Sequence, residues 1–177
     1  IMLFNSLEFI VFFALVITTI VVIKNRKFQH LFLLAASYFF FIFSSNYLVS
    51  LLIFSTVLDF YIAQEIWKST DSKKKKRLLI ISIMGNLGLL GFFKYTDFGI
   101  SQFNSIAIAL GQPEIPLLNI ILPIGISFYT FQTLSYTIDV YRGNLEPSKS
   151  FKEFALFVAF FPQLVAGPIV RAKVFLP

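Results

Sequence analysis

Six apolar runs, each closed by polar or charged residues, order this chain. They extend from about Phe9 to Ile23, Leu31 to Phe43, Tyr47 to Trp67, Leu78 to Phe93, Ile120 to Ile138 and Phe154 to Val170. A helix crossing a bilayer upright needs about 20 residues at about 1.5 Å each. The third and fifth runs have that length, whereas the first, second and fourth need flanking residues or a thinned bilayer. Only Ser44, Ser45 and Asn46 separate the second run from the third, which predicts a tight helical hairpin. Between Lys94 and Asn119, the residues Ile100, Phe103, Ile106 and Leu110 recur at helical spacing with Ser101, Gln102, Asn104 and Ser105 among them. That pattern predicts an amphipathic helix lying in the outer interface, ended by Pro113 and Pro116. The expected fold class is all-α: a polytopic transmembrane helix bundle of about six hydrophobic segments plus an interfacial helix. No internal repeat is evident.

Composition agrees with this pattern. Hydrophobic residues fill 57% of the 177 positions and charged residues 14%, against about 25% charged in a soluble domain. So few charges could not cover the surface of a folded soluble globule. The 24 Phe are costly to expose to water and at home against lipid tails. The absence of cysteine removes disulfides, thiolate metal sites and cysteine nucleophiles together. No basic segment precedes the first run and no small-residue cleavage site follows it, so it reads as a retained span rather than a signal peptide.

On a soluble protein a net charge of +6 would suggest nucleic acid. Here the Lys and Arg lie between apolar runs, where topology and anionic lipid account for them, and no nucleic-acid partner is expected. Lys24, Arg26 and Lys27 follow the first run, Lys68 and Lys73 to Arg77 the third, and Arg142, Lys149 and Lys152 the fifth. These three connections fall on one side and hold 12 of the 15 Lys and Arg. Basic residues accumulate in cytoplasmic loops, so that side is expected to be cytoplasmic and the N-terminus outside. The run Lys73 to Arg77 is expected as a solvated loop in touch with anionic lipid.

Polar residues inside spans carry the chemical information, because lipid cannot pair them. Asp59 lies within the third run, as part of a cavity wall or as a structural hydrogen-bond partner of a neighbouring helix. Tyr129, Gln132, Tyr136 and Asp139, spaced i, i+3, i+7 and i+10, share one face of the fifth run. A stripe of that length suits an internal cavity or interhelical hydrogen bonding equally. Asp139 and Arg142 are placed to pair at the inner membrane surface. Pro162, Gly167 and Pro168 will break any helix in the sixth run. A broken helix at membrane depth lines a cavity or is buried in protein, which makes Gln163 and Arg171 candidate cavity residues. His30 is the single histidine and falls in a basic connection, where burial is not expected. No metal-ligand cluster, Ser-His-Asp arrangement or phosphate-binding glycine loop is present.

Four strings go further. Leu34 to Phe40 (Leu-Ala-Ala-Ser-Tyr-Phe-Phe), Asn86 to Tyr95, Leu122 to Gly143 and Phe161 to Ala172 resemble the membrane-bound O-acyltransferase (MBOAT) family, in its bacterial branch related to alginate O-acetylation and teichoic acid D-alanylation. The resemblance implies transfer of an acyl group, acetyl in the alginate branch, from an inner thioester donor (acetyl-CoA or an acyl-carrier protein) to hydroxyls of an exported polymer. No bound cofactor is implied. Accessory acetylation proteins and the plasma (inner) membrane of a bacterium are. In that family a histidine in a membrane tunnel is the general base for the acceptor hydroxyl. It lies downstream of the strings matched here, and His30 does not match its position. The resemblance therefore implies that residues 1–177 are the N-terminal part of one such domain, with no catalytic residue of their own. Asp59, Tyr129, Gln132, Tyr136, Asp139, Gln163 and Arg171 remain as candidate tunnel-lining residues. The acceptor is open among alginate, cellulose, another polysaccharide and teichoic acid. A non-catalytic membrane subunit or a transporter-like scaffold is the alternative reading.

Overall fold

In the computed structural model, which describes residues 6–166 and Ala172, the apolar runs form helices. These are α1 Leu7–Val22, α2 Arg26–Ser45, α3 Val49–Lys68, α4 Ser72–Ala109, α5 Ile126–Tyr141, α6 Phe151–Ala159 and α7 Phe161–Ala166. The helices α2, α3 and α4 are each long and apolar enough to cross a membrane, and the 16-residue α1 is a shorter apolar helix. The chain folds as an all-α membrane helix bundle.

Local chemistry sets the boundaries. Ser6 opens α1 by accepting from the Phe9 amide at 3.2 Å, as a serine N-cap does. Gln29 folds back to close it, its Nε2 donating to the carbonyls of Ile20 and Ile23 at 3.0 and 2.7 Å. That closure lets α2 begin at Arg26, upstream of the apolar run, and the added polar turn gives it 20 residues. His30 is exposed, as expected, but on this helical turn rather than in a loop. The single 3₁₀ turn Asn46–Leu48 makes the tight hairpin between α2 and α3.

Two expectations are corrected in α4. The run Lys73 to Arg77 is helical, not a loop: Asp71 caps it, accepting from the Lys73 amide at 2.8 Å, and lysine is a good helix former. The separate interfacial helix is also absent. Its helical periodicity is real, but residues 100–109 continue α4 without a break at Lys94, giving 38 residues and a length of about 57 Å. No proline lies between Ser72 and Ala109 to interrupt the helix.

Beyond α4 the chain returns along it as an extended strap. Asp97 accepts from the amides of Leu118 and Ile120 at 2.9 and 2.8 Å. Asn104 takes both backbone groups of Ile115, at 2.9 Å from its amide and 2.7 Å to its carbonyl. α5 starts at Ile126, some six residues later than its apolar run, because Pro123 and a left-handed Gly125 (φ 74°) shape the turn before it.

The helices α3, α4 and α5 pack on one another at the centre, and α6 lies against α2 and α3. Phe161 of α7 joins Phe12 and Phe40 of the outer pair α1 and α2, with ring centroids 5.2 and 5.5 Å away. Gln64 near the end of α3 donates to the Ser148 carbonyl at 2.7 Å, and a cleft joins Asn25 to Ser150. The three basic connections thus gather at one end of the bundle. At the other end the Ile124 amide meets Ser45 Oγ at 3.3 Å.

α3 reaches α4 at Gly85, where a β-carbon would sit 2.8 Å from a terminal methyl of Leu58. Gly85→Ala should be tolerated, since that methyl can swing aside. Gly85→Leu should cost about 1–3 kcal/mol by overpacking, read as a lowered melting temperature of the purified protein in detergent.

Candidate functional site

The buried face of α3 places Asp59 against α4 with no exposed surface. One carboxyl oxygen accepts from Ser82 Oγ, and the other accepts from Asn86 Nδ2 at 2.8 Å. Ser82 and Asn86 stand one helical turn apart, so a single face of α4 reaches both oxygens. Thr133 of α5 extends the network, with Oγ1 3.4 Å from Asn86 Oδ1 and 3.2 Å from the Thr130 carbonyl. Thr130, Thr133 and Thr137 form a fully buried row on α5. No basic side chain pairs with Asp59 among the described residues.

An adjacent face of α5 carries Tyr129, Gln132 and Tyr136, all buried. Gln132 Nε2 donates to the Phe157 carbonyl at 3.0 Å. Tyr136 Oη accepts from the Ser148 amide at 3.0 Å, and its ring lies 4.4 Å from that of Phe154. Tyr129 meets Phe41 of α2 edge-on, with ring centroids 6.5 Å apart. Tyr129 Oη and Gln132 Oε1 have no hydrogen-bond partner among the described residues. Buried polar atoms without partners are rare in folded proteins.

The α6–α7 break sits against this face. Pro162 has no amide hydrogen, and its ring would strike the Val158 carbonyl in a continuous helix. The chain turns instead at Phe160 (φ −58°, ψ 102°). A continuous helix would have paired the Phe157 carbonyl with the Phe161 amide. Here the carbonyl accepts from Gln132, and the amide donates to Ser37 Oγ of α2 at 3.4 Å. Gln163 is buried on α7, just past the break.

The structure therefore brings Tyr129, Gln132 and Tyr136 together and sets Asp59 on the neighbouring side of α5. Asp139 is only half-buried, in the last turn of α5. The expected Asp139–Arg142 ion pair does not form: among the described residues the ion pairs are those of Glu65 with Lys68 and Lys74. A partly exposed i, i+3 pair gains too little to hold two side chains together. Arg171 lies outside the described residues. Ser37, Ser82, Asn86 and the threonine row join the site without having stood out in the sequence. The signal was present as Ser82 and Asn86 at i, i+4 in an apolar run, and as three threonines at i, i+3, i+7. Enclosed hydroxyls and amides of this kind can hold and orient a polar group, but they include no general base.

Asp59→Leu should strand the donors of Ser82 and Asn86 and lower stability by about 1–3 kcal/mol. Asp59→Asn should be milder, because it keeps an acceptor for one of them. Thermal melting of the two variants side by side, with the wild type, checks the order.

No family model and no solved structure matches the chain. Curated relatives do. The proteins named probable alginate O-acetylase AlgI in Pseudomonas aeruginosa and Azotobacter vinelandii are 43% and 40% identical to it, over 70% and 67% of this chain. The peptidoglycan O-acetyltransferase of Helicobacter pylori is 36% identical over 72% of this chain. The chain spans about a quarter of the length of these relatives, from 24% to 28%. Over roughly two thirds of its length or more, then, this chain is similar to bacterial proteins named for the O-acetylation of alginate and of peptidoglycan.

Proposed function

We propose that this chain forms the N-terminal part of one membrane-bound O-acyltransferase domain, which moves an acetyl group from a thioester donor at the basic end to hydroxyls of an exported polysaccharide such as alginate. The observation that carries this reading is its relation to proteins named for O-acetylation of alginate and of peptidoglycan. The enclosed polar face of α5, backed by the broken α6–α7 helix, supports it. A tunnel that admits a polar acceptor needs side chains able to exchange hydrogen bonds with it. Tyr129 and Gln132 each keep a polar atom without a partner among the described residues. Asp59, Tyr136, Asp139, Gln163 and Arg171 complete the proposed lining.

In the transfer, the acyl carbon leaves the thioester sulfur and bonds to the acceptor oxygen. The hydroxyl proton passes to a general base, and the donor departs as a thiol. Acetyl-CoA and an acyl-carrier protein are equivalent donors for this step. The base in this reading is a histidine outside the present chain, since His30 is exposed in the first turns of α2. The basic end faces the cytoplasm of a bacterial inner membrane and accessory acetylation proteins act on the other side, which puts the N-terminus outside.

Two experiments test this. The open reading frame that holds this sequence is expressed in an alginate-producing bacterium lacking its own O-acetylase. Acetyl ester content of the secreted polymer should be restored, retained in His30→Ala, and reduced at least tenfold in Gln132→Leu at equal membrane abundance. Ester levels that stay at background with the wild-type frame would refute acetylation of alginate. For topology, the chain has no cysteine, so Ser72→Cys gives a clean probe. An impermeant maleimide should label it only after the cells are permeabilised, and labelling in intact cells would invert the orientation.

A further inference from the structure

The basic end carries a cleft of about 420 Å³ between the start of α2 and the start of α6. Lys27, Phe28, His30 and Leu31 line one wall, and Lys152 and Glu153 the other. Neither lysine has an ion-pair partner among the described residues, Glu153 included. Lys24 and Arg26 lie close by in sequence, so the cleft is electropositive despite its one carboxylate. Its α2 wall is also apolar: Phe28 and Leu31 are 54% and 50% exposed. That apolar surface continues away from the cleft. Ala35, Phe39 and Ile42 are exposed on the same face of α2, at spacings of three and four residues. A cationic cleft at the end of a span, opening onto an exposed apolar stripe along it, has the two halves of a phospholipid site.

We infer that this cleft binds the phosphate of one anionic phospholipid, with an acyl chain lying on the Phe28–Leu31–Ala35–Phe39–Ile42 stripe. The stripe decides between lipid and a soluble phosphate. A soluble ligand needs the lysines and gains nothing from exposed phenylalanine and leucine running into the span. The inference needs no acyl transfer, so it stands or falls separately from the proposed function.

The test is native mass spectrometry of the purified protein, titrated with phosphatidylglycerol or with phosphatidylcholine of the same chains. The wild type should retain one phosphatidylglycerol in clear preference. Lys27→Gln should weaken that binding about fivefold, since one basic residue near an anionic headgroup contributes about 1 kcal/mol. The double variant with Lys152→Gln should abolish the preference. Phe28→Ser should weaken it with both lysines present. Lys73→Gln with Lys75→Gln, in the basic start of α4, should leave it unchanged. Equal retention of the two lipids would overturn the site. So would an equal loss in the α4 variant, which would indicate general charge attraction. Displacement of the lipid by inorganic phosphate or coenzyme A, with Phe28→Ser without effect, would assign the cleft to a soluble phosphate ligand instead.

Discussion

A carboxyl group buried between two membrane helices obliges both to face it. In hydrocarbon no water takes up an unused hydrogen-bonding group, so Asp59 fixes which faces of α3 and α4 meet and at what height. Ser82 and Asn86 answer its two oxygens from successive turns of α4. Gly85 lies between them in sequence, at the position where a β-carbon would press on Leu58, next to Asp59. Close approach and polar pairing are thus two aspects of one register. α5 then packs on the pair with a row of buried threonines, of which Thr133 reaches both the Thr130 carbonyl and Asn86.

The same constraint governs the break between α6 and α7. Pro162 forbids a continuous helix, and the interruption would leave a carbonyl and an amide unpaired at membrane depth. Side chains of two other helices, Gln132 and Ser37, take them up. The irregular backbone is possible only because α5 and α2 are already in place around it. That dependence ties two of the stretches that resemble O-acyltransferases, on α5 and at the α6–α7 break, to each other and to α2.

Much of this architecture was legible in the residues. Apolar run length and basic connections placed the spans, the α2–α3 hairpin and the gathering of positive charge at one end. Spacing placed Tyr129, Gln132 and Tyr136 on one face, and Pro162 marked the break. What escaped was decided by distant partners. Ser82 and Asn86 look unremarkable until Asp59 stands opposite them. The amphipathic pattern after Lys94 reports helix but carries no information about continuity, so α4 was divided where the structure is unbroken. The Asp139–Arg142 pair was inferred from proximity in sequence, which cannot weigh the entropy of holding two side chains together.

The strap that returns along α4 sets a length scale of its own. Its two anchoring residues, Asp97 and Asn104, are seven positions apart on a helix, or about 10 Å at helical rise. Their partners on the strap, Ile115 and then Leu118 and Ile120, are three to five positions apart, or about 10–16 Å when extended. Two conformations with different pitch are thereby matched like the scales of a vernier, and they agree only at this offset. One residue more or fewer between Ile115 and Leu118 would slip one anchor while keeping the other. The start of α5, and the height of its polar face in the bundle, are gauged from the far end of α4 by this match.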